Sequence, residues 1–109
     1  MNERQITNQI VKYCRENGIF YLYIPNDKAH FRNVPSVKGA PDLIIILPHG
    51  KTLWIEVKAP VTGRMRPWQK EFHEKLREKG HYIAVVKSLE EFITHYQKAI
   101  SEDPLSSRQ

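Results

Sequence analysis

Cysteine occurs once in the 109 residues, at Cys14, which excludes an internal disulfide framework and a zinc site built on several thiolates. A lone thiol fits a reducing compartment, and Cys14 reads as a small core residue. No apolar run approaches the roughly 18 residues that span a bilayer. The opening Met1-Asn2-Glu3-Arg4 lacks a signal-peptide core, so no membrane partner is expected. There is no internal repeat and no low-complexity segment. His30, His49, His81 and His95 lack metal-ligand spacing and are assigned no role. A chain of this length hides roughly two-thirds of its unfolded surface, enough for one domain without staples. That domain is expected over residues 1–100, with 101–109 as a frayed tail.

Lys and Arg number 17 against 12 Asp and Glu, a net charge of +5, which suggests a polyanionic partner. The excess is unevenly placed. Lys58, Arg64, Arg66 and Lys70 lie in a stretch without a carboxylate, and so do Lys28, His30, Arg32 and Lys38. From Ser88 onward the chain turns acidic. Two short acid-free segments fit a phosphate-facing side and equally fit two solvated loops.

Ile6, Ile10, Tyr13 and Cys14 recur at helical spacing over 3–17, and Asn17-Gly18 supplies a stop. Ile19–Ile24 is aromatic and β-branched and closes at Pro25, as a strand does. Residues 25–41 form a loop long enough to be functional or mobile. Asp42–Leu47 and Thr52–Lys58 flank Pro48-His49-Gly50-Lys51 and read as an antiparallel hairpin. Their nearly unbroken aliphatic character predicts central strands buried on both faces. Pro67 suits a first helical turn, with Trp68, Phe72 and Leu76 at i, i+4 and i+8 before Gly80. His81–Lys87 is a strand, and Ser88 with Glu91 is a capping box for a helix to about Ile100. Strand, helix and strand from Thr52 to Lys87 predict a parallel crossover pair. The fold class is therefore α/β, a small mixed four-stranded sheet flanked by helices.

Charge inside apolar strands is the anomaly. Trp54, Glu56 and Lys58 alternate and so share a face, and an unpaired Glu56 between Ile55 and Val57 would cost several kcal/mol. Counting outward from the hairpin turn brings Asp42 near Val57 or Lys58. Two carboxylates and an ammonium thus converge at one sheet end. Such a group suits Mg²⁺ or Mn²⁺, with the lysine orienting water for attack on phosphorus. It equally suits a self-satisfied ion pair of Lys58 with Glu56 or Asp42.

Gly39-Ala40-Pro41-Asp42, thirteen further residues, then Glu56-Val57-Lys58 resembles the PD-(D/E)XK nuclease signature. The run from Gly39 to Phe92 resembles, within that superfamily, the VRR-NUC family, most specifically in Glu56-Val57-Lys58-Ala59-Pro60, Gln69 and Ala84-Val85-Val86-Lys87-Ser88. The resemblance implies a restriction-endonuclease-like αβββαβ core and a metal-dependent DNA endonuclease. It makes Asp42 and Glu56 the ligands of Mg²⁺ or Mn²⁺, with the Val57 carbonyl as a third. Lys58 becomes the water-orienting lysine and Gln69 a supporting residue. Glu3 stands where this superfamily often has an acidic ligand, and a carboxylate in a first helical turn is also simply favourable there. Arg64, Arg66 and Lys70 are the first candidates for phosphate contacts, and Lys28, Arg32 and Lys38 the second. His73 reads as a surface histidine, with a phosphate contact as the alternative. Trp68 reads as core through Phe72, with base stacking as the alternative.

The stand-alone members of that family occur in bacteriophages and bacteria and resemble Holliday-junction resolvases in assembling as homodimers, so a homodimer nicking branched DNA such as Holliday junctions, in the cytoplasm of a bacterial or phage-infected cell, is expected. Two alternatives stand beside that expectation. One is a DNA-binding module without catalysis; the other is an endonuclease specific for a duplex sequence.

Overall fold

The computed structural model describes residues 1–25 and 39–102. Helix α1 (Glu3–Glu16) begins at Asn2, whose side chain accepts the Gln5 N–H at 2.8 Å while the Gln5 side chain accepts the Asn2 N–H at 2.9 Å. Strands β1 (Tyr21–Tyr23), β2 (Leu43–Ile46) and β3 (Thr52–Val57) follow. Helix α2 (Pro67–Glu78), strand β4 (Tyr82–Val86) and helix α3 (Leu89–Ser101) complete the described order. The α3 cap is the expected Ser88, whose Oγ accepts the Glu91 N–H at 3.1 Å. Among the described residues no helix is long and apolar enough to cross a membrane.

The four strands form one sheet in the order β1-β2-β3-β4. The first two pairings are antiparallel and β3 with β4 is parallel, the mixed sheet anticipated above. The hairpin register sets Leu43 opposite Ile55 and Ile46 opposite Thr52. Its turn is a short 3₁₀ segment, Pro48–Gly50, with His49 at φ 65° and Gly50 at φ 74°. Strand β1 is shorter than the sequence suggested. Its N-terminal end is claimed by α1, because the Ile19 N–H bonds the Cys14 carbonyl at 2.8 Å.

One sheet face carries the core. Leu43 and Ile45 of β2, Leu53, Ile55 and Val57 of β3, and Ala84 and Val86 of β4 are buried with Ile6, Ile10 and Cys14 of α1 and Phe92 of α3. Each large aliphatic side chain so buried contributes roughly 1.5–3 kcal/mol. Phe92 also meets Tyr13 edge-on and Tyr96 in a stack, with centroids 6.3 and 6.1 Å away. Burial pushes the Cys14 thiol up to about 11, as expected of an inert core cysteine.

The expectation that both hairpin strands are buried on both faces holds only in part. β2 is buried at Leu43 and Ile45 and half-buried at Ile44 and Ile46. A sheet with two helices on one face and one on the other needs full hydrophobicity on the first face only. The second face, where α2 lies, carries Trp54, Glu56 and Lys58.

Gly39 closes the approach to β2. It sits at φ 88°, and a Cβ there would lie 2.5 Å from the Trp68 carbonyl oxygen. Gly39→Ala is expected to cost at least about 1–3 kcal/mol from the backbone conformation alone, before the steric overlap is relieved. Thermal unfolding followed by circular dichroism measures this as a lowered Tm.

Candidate active site

The C-terminal end of β3 sets the site. Asp42 stands just before β2, its backbone N–H donating to the Ile55 carbonyl at 2.9 Å. Its side chain turns to the same strand, and Oδ2 accepts the Val57 N–H at 2.7 Å. The sequence count from the hairpin turn therefore locates Asp42 to within a residue. In an extended strand the N–H and C=O of one residue point to the same edge, so Val57 turns its carbonyl toward Asp42 as well. The Lys58 N–H continues the parallel ladder to the Val86 carbonyl at 3.0 Å, which holds the lysine in strand geometry past the end of β3.

Alternation puts Glu56 and Lys58 on the α2 face, where they are 2% and 7% exposed. Burying two such groups requires partners. The ammonium Nζ donates to Gln69 Oε1 at 2.9 Å and lies 4.0 Å from Glu56 Oε2. Gln69 Nε2 donates to the same Glu56 oxygen at 3.5 Å. Gln69 is the third residue of α2, and its Oε1 also accepts the Arg66 N–H at 2.8 Å. One amide thus caps the helix, receives the lysine and reaches the glutamate. Gly63 lets the 59–66 loop close on this group, since a Cβ there would lie 2.9 Å from the Lys58 Cβ and 2.4 Å from the Ala59 nitrogen.

The Asp42 and Glu56 carboxyl groups act directly on each other at this end of the sheet. Burial, then the bond to Glu56 and the charge of Glu56, push the Asp42 carboxyl up to about 7, against the opposing Val57 N–H and Lys58. Burial also raises Glu56, opposed by Asp42 and Lys58 and reinforced by the negative charge of Glu3. Glu3, in the exposed first turn of α1, is therefore electrically on the site side. Among the described residues no three His, Cys, Asp or Glu side chains gather as a ligand set.

His73 departs from its sequence reading. It is 1% exposed, with Nε2 3.2 Å from Glu56 Oε1. Burial, followed by the charges of Arg77 and Lys58, pushes the imidazole down to about 4, so it is neutral near pH 7. The Gln69-x-x-x-His73 spacing, one helical turn on one face, was the available signal. Trp68 departs the other way: it is 38% exposed, while Phe72 is half-buried and Leu76 buried. The side of α2 that meets the sheet runs through Gln69, His73 and Leu76, which leaves Trp68 at its edge. Arg64, Arg66 and Lys70 are exposed beside the site, on the 59–66 loop and the start of α2. Lys28, Arg32 and Lys38 lie outside the described residues.

A hairpin and a parallel β-α-β unit that share one strand, with Asp and Glu-x-Lys meeting at its end, define a nuclease domain of the PD-(D/E)XK class. The chain belongs to the VRR-NUC domain family, whose model matches residues 3–90. A relative named "Putative nuclease p44", from Acyrthosiphon pisum secondary endosymbiont phage 1, is 30% identical over 89 residues, covering 81% of this chain and 85% of its own length. A solved "VRR_NUC domain protein" has the same fold, with a TM-score of 0.76, 23% identity and coverage of 93% of this chain and 89% of its own. A second solved structure, "VRR_NUC domain", gives a TM-score of 0.62 at 27% identity over 86% of this chain and 96% of its own. The domain is a nuclease.

Proposed function

We propose that this nuclease is a DNA endonuclease dependent on Mg²⁺ or Mn²⁺, acting as a homodimer on branched DNA such as Holliday junctions. The observation that carries the metal dependence is the pair of carboxyl groups at the end of β3. Burial and the neighbouring Glu56 raise Asp42, and one ammonium, Lys58 at 4.0 Å from Glu56, does not balance two such carboxylates. A divalent cation on oxygen ligands suits that donor set, and Asp42, Glu56 and the Val57 carbonyl would hold it, with Glu3 as a further acidic ligand directly or through water. When bound, the ion would neutralise charge on the phosphate and lower the pKa of its water.

The chain's own groups do the rest. Lys58, anchored by Gln69, holds an attacking water and meets the negative charge that develops on phosphorus. Gln69 keeps that ammonium from collapsing onto Glu56. Arg64, Arg66 and Lys70 hold the DNA backbone next to the site, a contact that reads shape rather than sequence. A two-fold dimer would present two such sites to two strands, which suits symmetric cleavage of a four-way junction.

The test is incubation with a four-way junction, a flap, a linear duplex and supercoiled plasmid, with Mg²⁺ or Mn²⁺ and with EDTA. Metal-dependent, paired nicks in the junction are expected. Cleavage that survives EDTA would remove the metal, retardation without cleavage would make this a binding module, and cutting at one duplex sequence would make it a restriction-type enzyme. Sedimentation showing only monomer at micromolar concentration would remove the symmetric mechanism. Arg66→Ala and Arg64→Ala are each expected to lower the slope of log binding against log salt by about one. Titration of binding between 50 and 200 mM salt measures it.

A further inference from the structure

We propose that His73 is a positioning residue for Glu56, its Nε2–H holding one carboxylate oxygen so that the side chain meets a divalent cation in one fixed orientation. The inference rests on the metal-dependent reading above. The Glu56 carboxylate lies at the end of a flexible stem, and its terminal torsion is intrinsically broad. At 3.2 Å the His73 nitrogen is nearer than the other two side chains that approach it from α2 and from the residue after β3, against 3.5 Å for Gln69 and 4.0 Å for Lys58. It acts on Oε1, whereas Gln69 and Lys58 act on Oε2, so the carboxylate is gripped from both sides.

His73 and Gln69 lie one turn apart on the same face of α2, so the rigid helix sets both grips together. His73 is also as buried as the glutamate, which keeps water from competing for Oε1. Groups that hydrogen-bond a metal-ligating carboxylate set its direction, and their loss typically costs ten- to hundredfold in metal affinity or activity. His73 does not touch the reacting atoms. Its effect reaches the reaction through Glu56.

The experiment is Mn²⁺ binding to the 109-residue chain, read by electron paramagnetic resonance, for wild type, His73→Phe, His73→Asn, His73→Gln and Glu56→Gln. Near-ultraviolet circular dichroism reports folding alongside. His73→Phe fills the space without a donor and is expected to bind Mn²⁺ at least tenfold more weakly than wild type. His73→Asn, whose amide falls short of Glu56, is expected to do the same and stands in should the phenylalanine variant not fold. His73→Gln can place an amide N–H where Nε2 was and is expected to recover most of the lost affinity.

Phe and Asn variants that fold and bind Mn²⁺ within about twofold of wild type would overturn the assignment. So would a folded His73→Gln as weak as the other two, since packing rather than the donor would then matter. Wild type without saturable Mn²⁺ binding, or Glu56→Gln binding as tightly as wild type, would instead overturn the metal-dependent reading.

Discussion

Asp42→Asn is expected to abolish cleavage and, in the absence of metal, to make the protein more stable at pH 8. Both effects have one cause. The asparagine Oδ1 can still accept the Val57 N–H, and its amide can donate to Glu56 as a protonated Asp42 carboxyl would. The hydrogen bonds survive while the negative charge is lost. On the proposed metal-dependent reading that loss takes away a ligand, and a fall in kcat of at least about a thousandfold is expected, comparable to or larger than removal of a single transition-state donor.

The stability effect follows from the raised Asp42 carboxyl, about 7 in the fold against an ordinary 3.8. The folded chain therefore holds a proton that the unfolded chain releases above pH 4. This stabilisation is complete below about pH 4 and is lost as pH rises toward 7 and beyond. Asparagine does not titrate, so the variant keeps what wild type loses. With partial exposure of the site taken into account, the gain at pH 8 is on the order of 2 kcal/mol. Thermal unfolding in EDTA at pH 4 and pH 8 measures it. An equal Tm for both proteins at pH 8 would mean that the two carboxylates ionise without conflict, and Mn²⁺ added to wild type should close the same gap from the other side.

Lys58→Met is expected to lower kcat by about a hundred- to a thousandfold while leaving DNA binding and Mn²⁺ affinity within a few-fold. Methionine keeps the buried stem and deletes only the ammonium. Gln69 is not orphaned by the change, because its Oε1 still accepts the Arg66 N–H. A loss confined to turnover would separate Lys58 from substrate binding, and single-turnover cleavage at saturating metal measures it. Near-normal turnover would take Lys58 out of the reaction and leave it as the counter-ion of Glu56.

The charged trio at the end of β3 was legible in the sequence for a simple reason. Strand alternation and hairpin counting are local rules, so charged residues at Asp42, Glu56 and Lys58 inside apolar strands could be assigned to one sheet end without a structure. Gln69 was legible through the resemblance. His73 was not, because histidine on an amphipathic helix is polar by composition and goes by default to the solvent side. Trp68 failed in the opposite sense: its spacing to Phe72 marked it as core, yet the side of α2 that meets the sheet runs through Gln69, His73 and Leu76. The two-sided burial expected of β2 failed because hydrophobicity of a strand does not say how many helices cover each face.

The amino-acid order alone thus determined the elements, their pairing and the three charged groups at the end of β3, since each depends on neighbours within a hairpin or a helical turn. The tertiary structure decided which face of α2 meets Glu56, and with it the burial of His73, the double use of Gln69 and the raised Asp42 carboxyl beside Glu56. Those depend on how a helix docks across a sheet and excludes water from charges distant in the chain, and no local pattern carries that.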